Sequence, residues 1–269
     1  MDRHVKDFFC PFSDKTPQGQ FHKVIVLHDA PDGEFDLIAR SVPPECKGWL
    51  ELAQLPTADR IELVREFWLG KMREHPRLTQ FLITFFDALD DIGIYITQHH
   101  FDDPLDCHMV YSLPNDCGYF RGKPPASEDQ LLTIQDNFSD WVLPSDYLAF
   151  LQVHDGFAKT TDCTGLTTTD HLIENYDKFQ KYLEQQDTLF TTKGQPVTPK
   201  SLIPFYESFG MPFYQCFWGE WHPEGEMGNV YYSGLTHTII DPDSDIGQAE
   251  QMAFPTFADW LIFYLERVG

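Results

Sequence analysis

The cleanest hydrophobic period in the chain lies near its end. Phe257, Trp260, Leu261, Tyr264 and Leu265 recur at i, i+3, i+4, i+7 and i+8, and Thr256 with Asp259 resembles a capping box. That pattern predicts a helix with one apolar face. A shorter helix is predicted between Leu143 and Gly156. Pro144 needs no N–H at N1, Asp146 puts negative charge on the positive end of the dipole, and Tyr147, Leu148, Phe150 and Leu151 share a face. Gly156 suits the left-handed position that closes a helix. Thr57 can cap a helix bearing Ile61, Val64, Trp68 and Met72, and Pro76 can open one bearing Leu78, Phe81, Leu82, Phe85 and Leu89. Further helices are predicted from Ser127 to about Phe138 and from Thr169 or Asp170 to about Gln186. The second carries Leu172, Ile173, Tyr176, Phe179 and Leu183.

Between the helices lie runs that suit strands. Segments 23–28 and 34–39 flank Ala30-Pro31-Asp32-Gly33 and read as a hairpin. Strands are also predicted at 92–97, 108–112, 202–206, 213–218, 228–233 and 235–240. Pro114, Gly118, Gly122, Pro124 and Pro125 punctuate one stretch and place a boundary there. Residues 1–125 form an α+β region whose role is not readable. Residues 126–269 read helix, loop, helix, four strands and helix, an α+β domain with a mainly antiparallel sheet flanked by helices.

The second region resembles a known family. Leu143-Pro144-Ser145-Asp146-Tyr147, then Phe150-Leu151 and Asp155-Gly156, resembles the opening motif of the SUKH superfamily. That group holds yeast cell-wall-assembly regulators, Syd-type proteins and bacterial immunity proteins. Leu202-Ile203-Pro204-Phe205, Gly228-Asn229-Val230-Tyr231-Tyr232 and Phe254-Pro255-Thr256-Phe257-Ala258-Asp259-Trp260-Leu261 resemble later motifs in the expected order. Gly210-Met211-Pro212 departs from the polar pair that members often carry near this strand. The resemblance covers roughly residues 126–269. It implies a protein-binding function, either the masking of a toxin domain or a regulatory, scaffolding role.

Composition changes this picture in one respect. With 42 acidic and 19 basic residues the chain carries −23, which repels nucleic acid and anionic membrane and steers basic partners inward. Solubility alone is the competing account of that charge. Met1–Asp7 lacks the apolar stretch of a signal peptide and no apolar run is long enough to span a membrane, so a cytoplasmic protein is expected. Six cysteines without a Cys-x-x-Cys pair suit neither a zinc ribbon nor a thioredoxin motif, and reduced thiols are expected.

Candidate chemistry is sparse. Asp241-Pro242-Asp243-Ser244-Asp245 opens like a calcium loop, but Ile246 and Met252 replace the required Gly and Glu. His99, His100, Asp102, Asp103, Asp106, Cys107 and His108 include metal-ligand types, yet adjacent histidines on an extended segment point to opposite faces. Cys163 and His154 lack a readable third group for nucleophilic catalysis. No enzyme, metal or cofactor is therefore expected, and an enzyme built on 99–108 ranks third among the readings. The segment 213–226 carries Trp218 and Trp221 among Glu220, Glu224 and Glu226. Aromatic anchors set among acids suit a basic partner, although tryptophans folded back on the sheet would give the same composition. With Asp241, Asp243 and Asp245 these residues are the candidate partner-binding set. The leading function is a non-catalytic module that masks a basic protein; the alternative is a regulatory or scaffold protein with several partners.

Overall fold

The computed structural model of the protein describes residues 1–9, 21–30, 44–73, 75–208, 212–242 and 252–266, with the single positions 35, 38, 40 and 42. These residues fall into two units, Met1–Pro125 with Phe157–Thr161, and Ala126–Gly156 with Asp162–Glu266.

In the first unit five antiparallel strands pair in the order β1 (Lys23–Val26), β2 (Asp91–Gln98), β3 (Asp106–Ser112), β4 (Tyr119–Gly122) and β5 (Phe157–Lys159). Unbroken apolar runs suit strands covered on both faces, and β2 and β3 are buried along nearly their whole length. The helices are α1 (Arg3–Phe9), α2 (Lys47–Ala53), α3 (Thr57–Lys71) and α4 (Pro76–Asp87). Register places Ile94 opposite Met109 and Ile92 opposite Tyr111 on one face, where Trp68 of α3 and Phe86 of α4 meet the Tyr111 ring at 5.9 and 6.1 Å. Trp68 Nε1 donates to the Tyr111 hydroxyl at 2.9 Å, so this core leaves neither polar group idle. On the opposite face Val5 and Phe9 of α1 pack with Tyr95, Val110 and Tyr119.

Buried Arg60 ties α3 to the sheet. Its Nε donates to Ile92 O at 2.7 Å, Nη1 to Leu55 O at 2.7 Å, and Nη2 to Asp91 Oδ1 at 2.7 Å. A guanidinium can be buried only where its donors are met and its charge is paired.

Three expectations change here. β1 pairs with β2; of the expected second arm, 34–39, only Phe35 and Ile38 are described, and both are helical. The rest of the expected hairpin lies outside the described residues. Tyr119–Gly122, read as part of a connection, is strand β4. Cys46 and Cys107 form a disulfide with Cα atoms 6.5 Å apart, against the expectation of reduced thiols.

The second unit holds α5 (Glu128–Asn137), α6 (Ser145–Leu151), α7 (Thr169–Glu184) and α8 (Phe257–Glu266). Its strands are β6 (Gly165–Leu166), β7 (Phe190–Thr191), β8 (Leu202–Glu207), β9 (Phe213–Trp218), β10 (Asn229–Ser233), β11 (Thr238–Ile239) and β12 (Ala253–Phe254). They pair as β6-β8-β9-β10-β11-β7 with β12 on β10, all antiparallel except β11 with β7. Phe179 and Leu183 of α7 cover one face, with Tyr214, Cys216, Val230 and Tyr232 beneath them. On the other face Tyr147 of α6 meets Phe217 at 4.9 Å and Phe257 of α8 at 5.3 Å, while Phe205 stacks on Phe217 at 4.2 Å. This is the α+β domain with helices flanking a mainly antiparallel sheet. The apolar period of the closing helix is fully used: Phe257, Trp260, Leu261, Tyr264 and Leu265 are all buried.

Candidate functional site

The opening motif is an assembly device. Asp146 is buried in the first turn of α6, but its Oδ2 also accepts from Ala258 N at 2.7 Å, so it satisfies an orphan donor of α8. Asp155 accepts from Thr169 N at 2.7 Å and Thr169 Oγ1 at 2.6 Å and thereby caps α7. Thr168 occupies the N-cap position of α7 without a side-chain cap bond, so the expected capping by Thr169 or Asp170 gives way to capping by a distant carboxylate. Gly156 is left-handed, at φ 97°, but α6 has already ended at Leu151, so this glycine makes the turn into β5 instead. Asn229, buried on β10, donates to Thr256 O at 3.0 Å and accepts from Gln215 Nε2 at 2.7 Å, which binds the sheet to the start of α8. Burial raises the Tyr147 hydroxyl well above the ordinary tyrosine range, and that hydroxyl has no hydrogen-bond partner.

Above this frame the connection from β9 to β10 makes a ledge. Trp218 N donates to Gly228 O at 3.0 Å and Gly228 N to Trp221 O at 2.9 Å, which closes the turn. Trp218 and Trp221 are partly buried against the core beneath α7, so both tryptophans do fold back on the sheet. Trp221 lies so close over Gly228 that a Cβ there would sit 2.3 Å from its ring. Trp141 lies over Gly219 in the same way, with Nε1 2.2 Å from where a Cβ would be. Neither glycine position has room for a side chain. Next to Trp141, Val142 is 74% exposed. Sequence reasoning missed Trp141 and Val142. Their only signal was an apolar pair just before the opening motif that belongs to no helical face.

The predicted set divides. Glu220 and Glu224 are exposed on the ledge. Glu226 instead accepts from Ser145 N at 2.9 Å and Ser145 Oγ at 3.1 Å, which fastens the ledge to the start of α6. Asp241 is corrected from a surface ligand to a structural group: it is buried and accepts from Thr191 Oγ1 at 2.9 Å. Asp243 and Asp245, and with them most of the calcium-like loop, lie outside the described residues. The Trp218 Nε1 donor is buried without a partner. Residues 126–269 hold 22 of the 42 acidic residues but six of the 19 basic ones, a net −16. The ledge therefore offers half-buried indoles, an exposed valine and open carboxylates in the more acidic part of the chain.

The 99–108 segment does not gather into a centre. His100 Nδ1 pairs with Asp103 Oδ2 at 2.8 Å on the surface, and that bond holds the Asp103 carboxyl below its usual range. Cys107 is in the disulfide, while His108, next in β3, is directed to the opposite face and meets Thr97 Oγ1 at 3.2 Å. Cys163 is exposed and His154 buried. Among the described residues no group of three or more His, Cys, Asp or Glu is placed to hold a metal ion, and no helix is long and apolar enough to cross a membrane.

No curated protein matches the chain. The sequence model of the SMI1/KNR4 family (SUKH-1) matches residues 125–262, just over half of the chain, and this span contains the opening motif, all of α7, the start of α8 and the ledge. The chain belongs to the SMI1/KNR4 family (SUKH-1).

Proposed function

We propose that this chain is a non-catalytic, cytoplasmic protein-binding module that masks a basic protein partner, with the ledge of residues 219–226 and 141–142 as its contact surface. The observation that carries the reading is that Trp141 lies over Gly219, the neighbour of exposed Glu220, and Trp221 over Gly228, while Val142 and Glu224 are also exposed. Flat aromatic area supplies anchoring at small entropic cost, and surrounding carboxylates favour lysine or arginine and speed encounter with a cationic surface. A toxin domain, the kind of partner associated with immunity proteins of this superfamily, has that chemistry when it is basic.

A second reading is a regulatory or scaffold role of the cell-wall-regulator type. Residues 1–124, outside the family match, carry a sheet and helices with a core of their own, which favours additional contacts through that unit.

Purification of the tagged full chain from its own cells at low and at moderate salt, with partners identified by mass spectrometry, separates the readings. Masking predicts one dominant basic protein, reduced by salt and by the double change Glu220→Lys and Glu224→Lys. Several partners of ordinary charge, insensitive to both, would favour the scaffold. Recovery of no basic partner at either salt would sink masking in those cells.

A further inference from the structure

Helix α2 is weak by its own sequence. It has seven residues, Gly48 stands in a first turn that holds no acidic residue, and Cys46 at the N-cap gives no side-chain cap bond. A helix this short is marginal in water even when built of good formers, and glycine weakens it further. Its buried residues are Leu50 and Ala53, and it lies on β2 and on the single turn at Leu27–Asp29. The two ends of α2 are tied differently. Just past its end, Leu55 O accepts from Arg60 Nη1 at 2.7 Å, and the same guanidinium donates to Ile92 O and Asp91 Oδ1 of β2. At its start, Cys46 is bonded to Cys107 of β3. The first tie is a set of hydrogen bonds, indifferent to oxidation state. The second is a covalent bond that two electrons remove.

We propose that the Cys46–Cys107 disulfide is a redox-sensitive latch on α2. Closed, it fixes the helix at both ends. A dithiol opens it in two steps. One thiolate of the reductant attacks a sulfur of the pair, so that a mixed disulfide forms and the Cys46–Cys107 bond breaks. The reductant's second thiol then displaces the mixed disulfide. Cys46 and Cys107 end as thiols, and the reductant ends as a cyclic disulfide that has given up two electrons and two protons. The start of α2 is then free to turn about Leu55, which Arg60 still holds, and Leu50, Ala53 and the stretch of β2 beneath the helix meet solvent. The sheet survives this opening, because the Arg60 bonds to β2 and the Trp68 packing on Tyr111 do not pass through α2.

Hydrogen exchange of the full chain, read by peptide mass spectrometry, tests this after treatment with oxidised dithiothreitol and again after reduction with dithiothreitol. In the oxidised chain the amides of α2 should be protected. In the reduced chain they should exchange within about tenfold of an unstructured peptide, while β2 and β3 stay at least about a hundredfold slower than α2. Gly48 is exposed and has nothing within 4 Å of where a Cβ would be, so Gly48→Ala fits and should slow α2 exchange in the reduced chain several-fold. Equal protection of α2 in the two states would overturn the proposal. So would loss of protection by α2 and the sheet together, which marks opening of the whole unit, or a pair that the oxidant cannot close. Gly48→Ala without effect on the reduced chain would also overturn it, since the helix's own weakness would then not be what the disulfide offsets.

Discussion

Burial sets the charge state of His108. Its ring lies under Phe9 and beside Thr97, and desolvation lowers its pKa from 6.5 to about 4. Asp106, 3.7 Å away, pulls it upward; Lys123, Arg121 and His99 push it further down. The unfolded chain takes up a proton near pH 6.5 and the folded chain only near 4. Stability from this residue is therefore intact above about 6.5 and lost progressively as pH falls to about 4, a total of about 3 kcal/mol. Urea titrations across that window should show a steeper acid loss in the wild type than in His108→Gln. Equal slopes would assign the loss to other groups.

At the scale of elements, much of this architecture is readable from periodicity, and its joints are not. The helices bearing Trp68, Phe85, Phe179 and Trp260 stand where the apolar spacing puts them, because a 3.6-residue period is a local property. The short strands β6, β7 and β12 escaped notice, since two residues carry no period. Asp146 illustrates the other limit. Beside Pro144 it reads as a charge on its own helix dipole, yet its second oxygen serves α8. A side chain's partner across the fold depends on packing that no local window contains. The ledge shows the same limit: Trp218, Trp221 and the glutamates are legible as composition, whereas Trp141 belongs to it only through its seat on Gly219. Asp146→Ala is expected to cost about 1–3 kcal/mol, because the donor it leaves at Ala258 is buried. The urea midpoint measures it, and a loss of only a few tenths would mean that the α6–α8 joint is held by aromatic packing alone.

At the scale of the whole chain, charge and covalent linkage are distributed unequally. Residues 126–269 carry −16 of the net −23, and the disulfide belongs to the other unit. Cysteine spacing gave no sign of the pair, because Cys46 and Cys107 are 61 residues apart and meet only when the segment leading into α2 packs beside β3. Both residues are buried, so a reductant reaches them only when the surrounding structure opens. Cys117, Cys163 and Cys216 remain thiols. A cross-link over that span restricts the unfolded chain by about 4 kcal/mol in the chain-entropy account. Reduction should then lower the denaturant midpoint of the first unit, and Cys46→Ala should lower it by a similar amount while removing any response to reductant. The decisive reading is alkylation in denaturant without prior reduction, followed by peptide mass analysis. Cys46 and Cys107 should stay unmodified while Cys117, Cys163 and Cys216 react. If both are alkylated along with the rest, the pair is reduced in the isolated protein, and the stability of this unit rests on Arg60 and the two cores packed on its sheet, around Tyr111 and around Phe9.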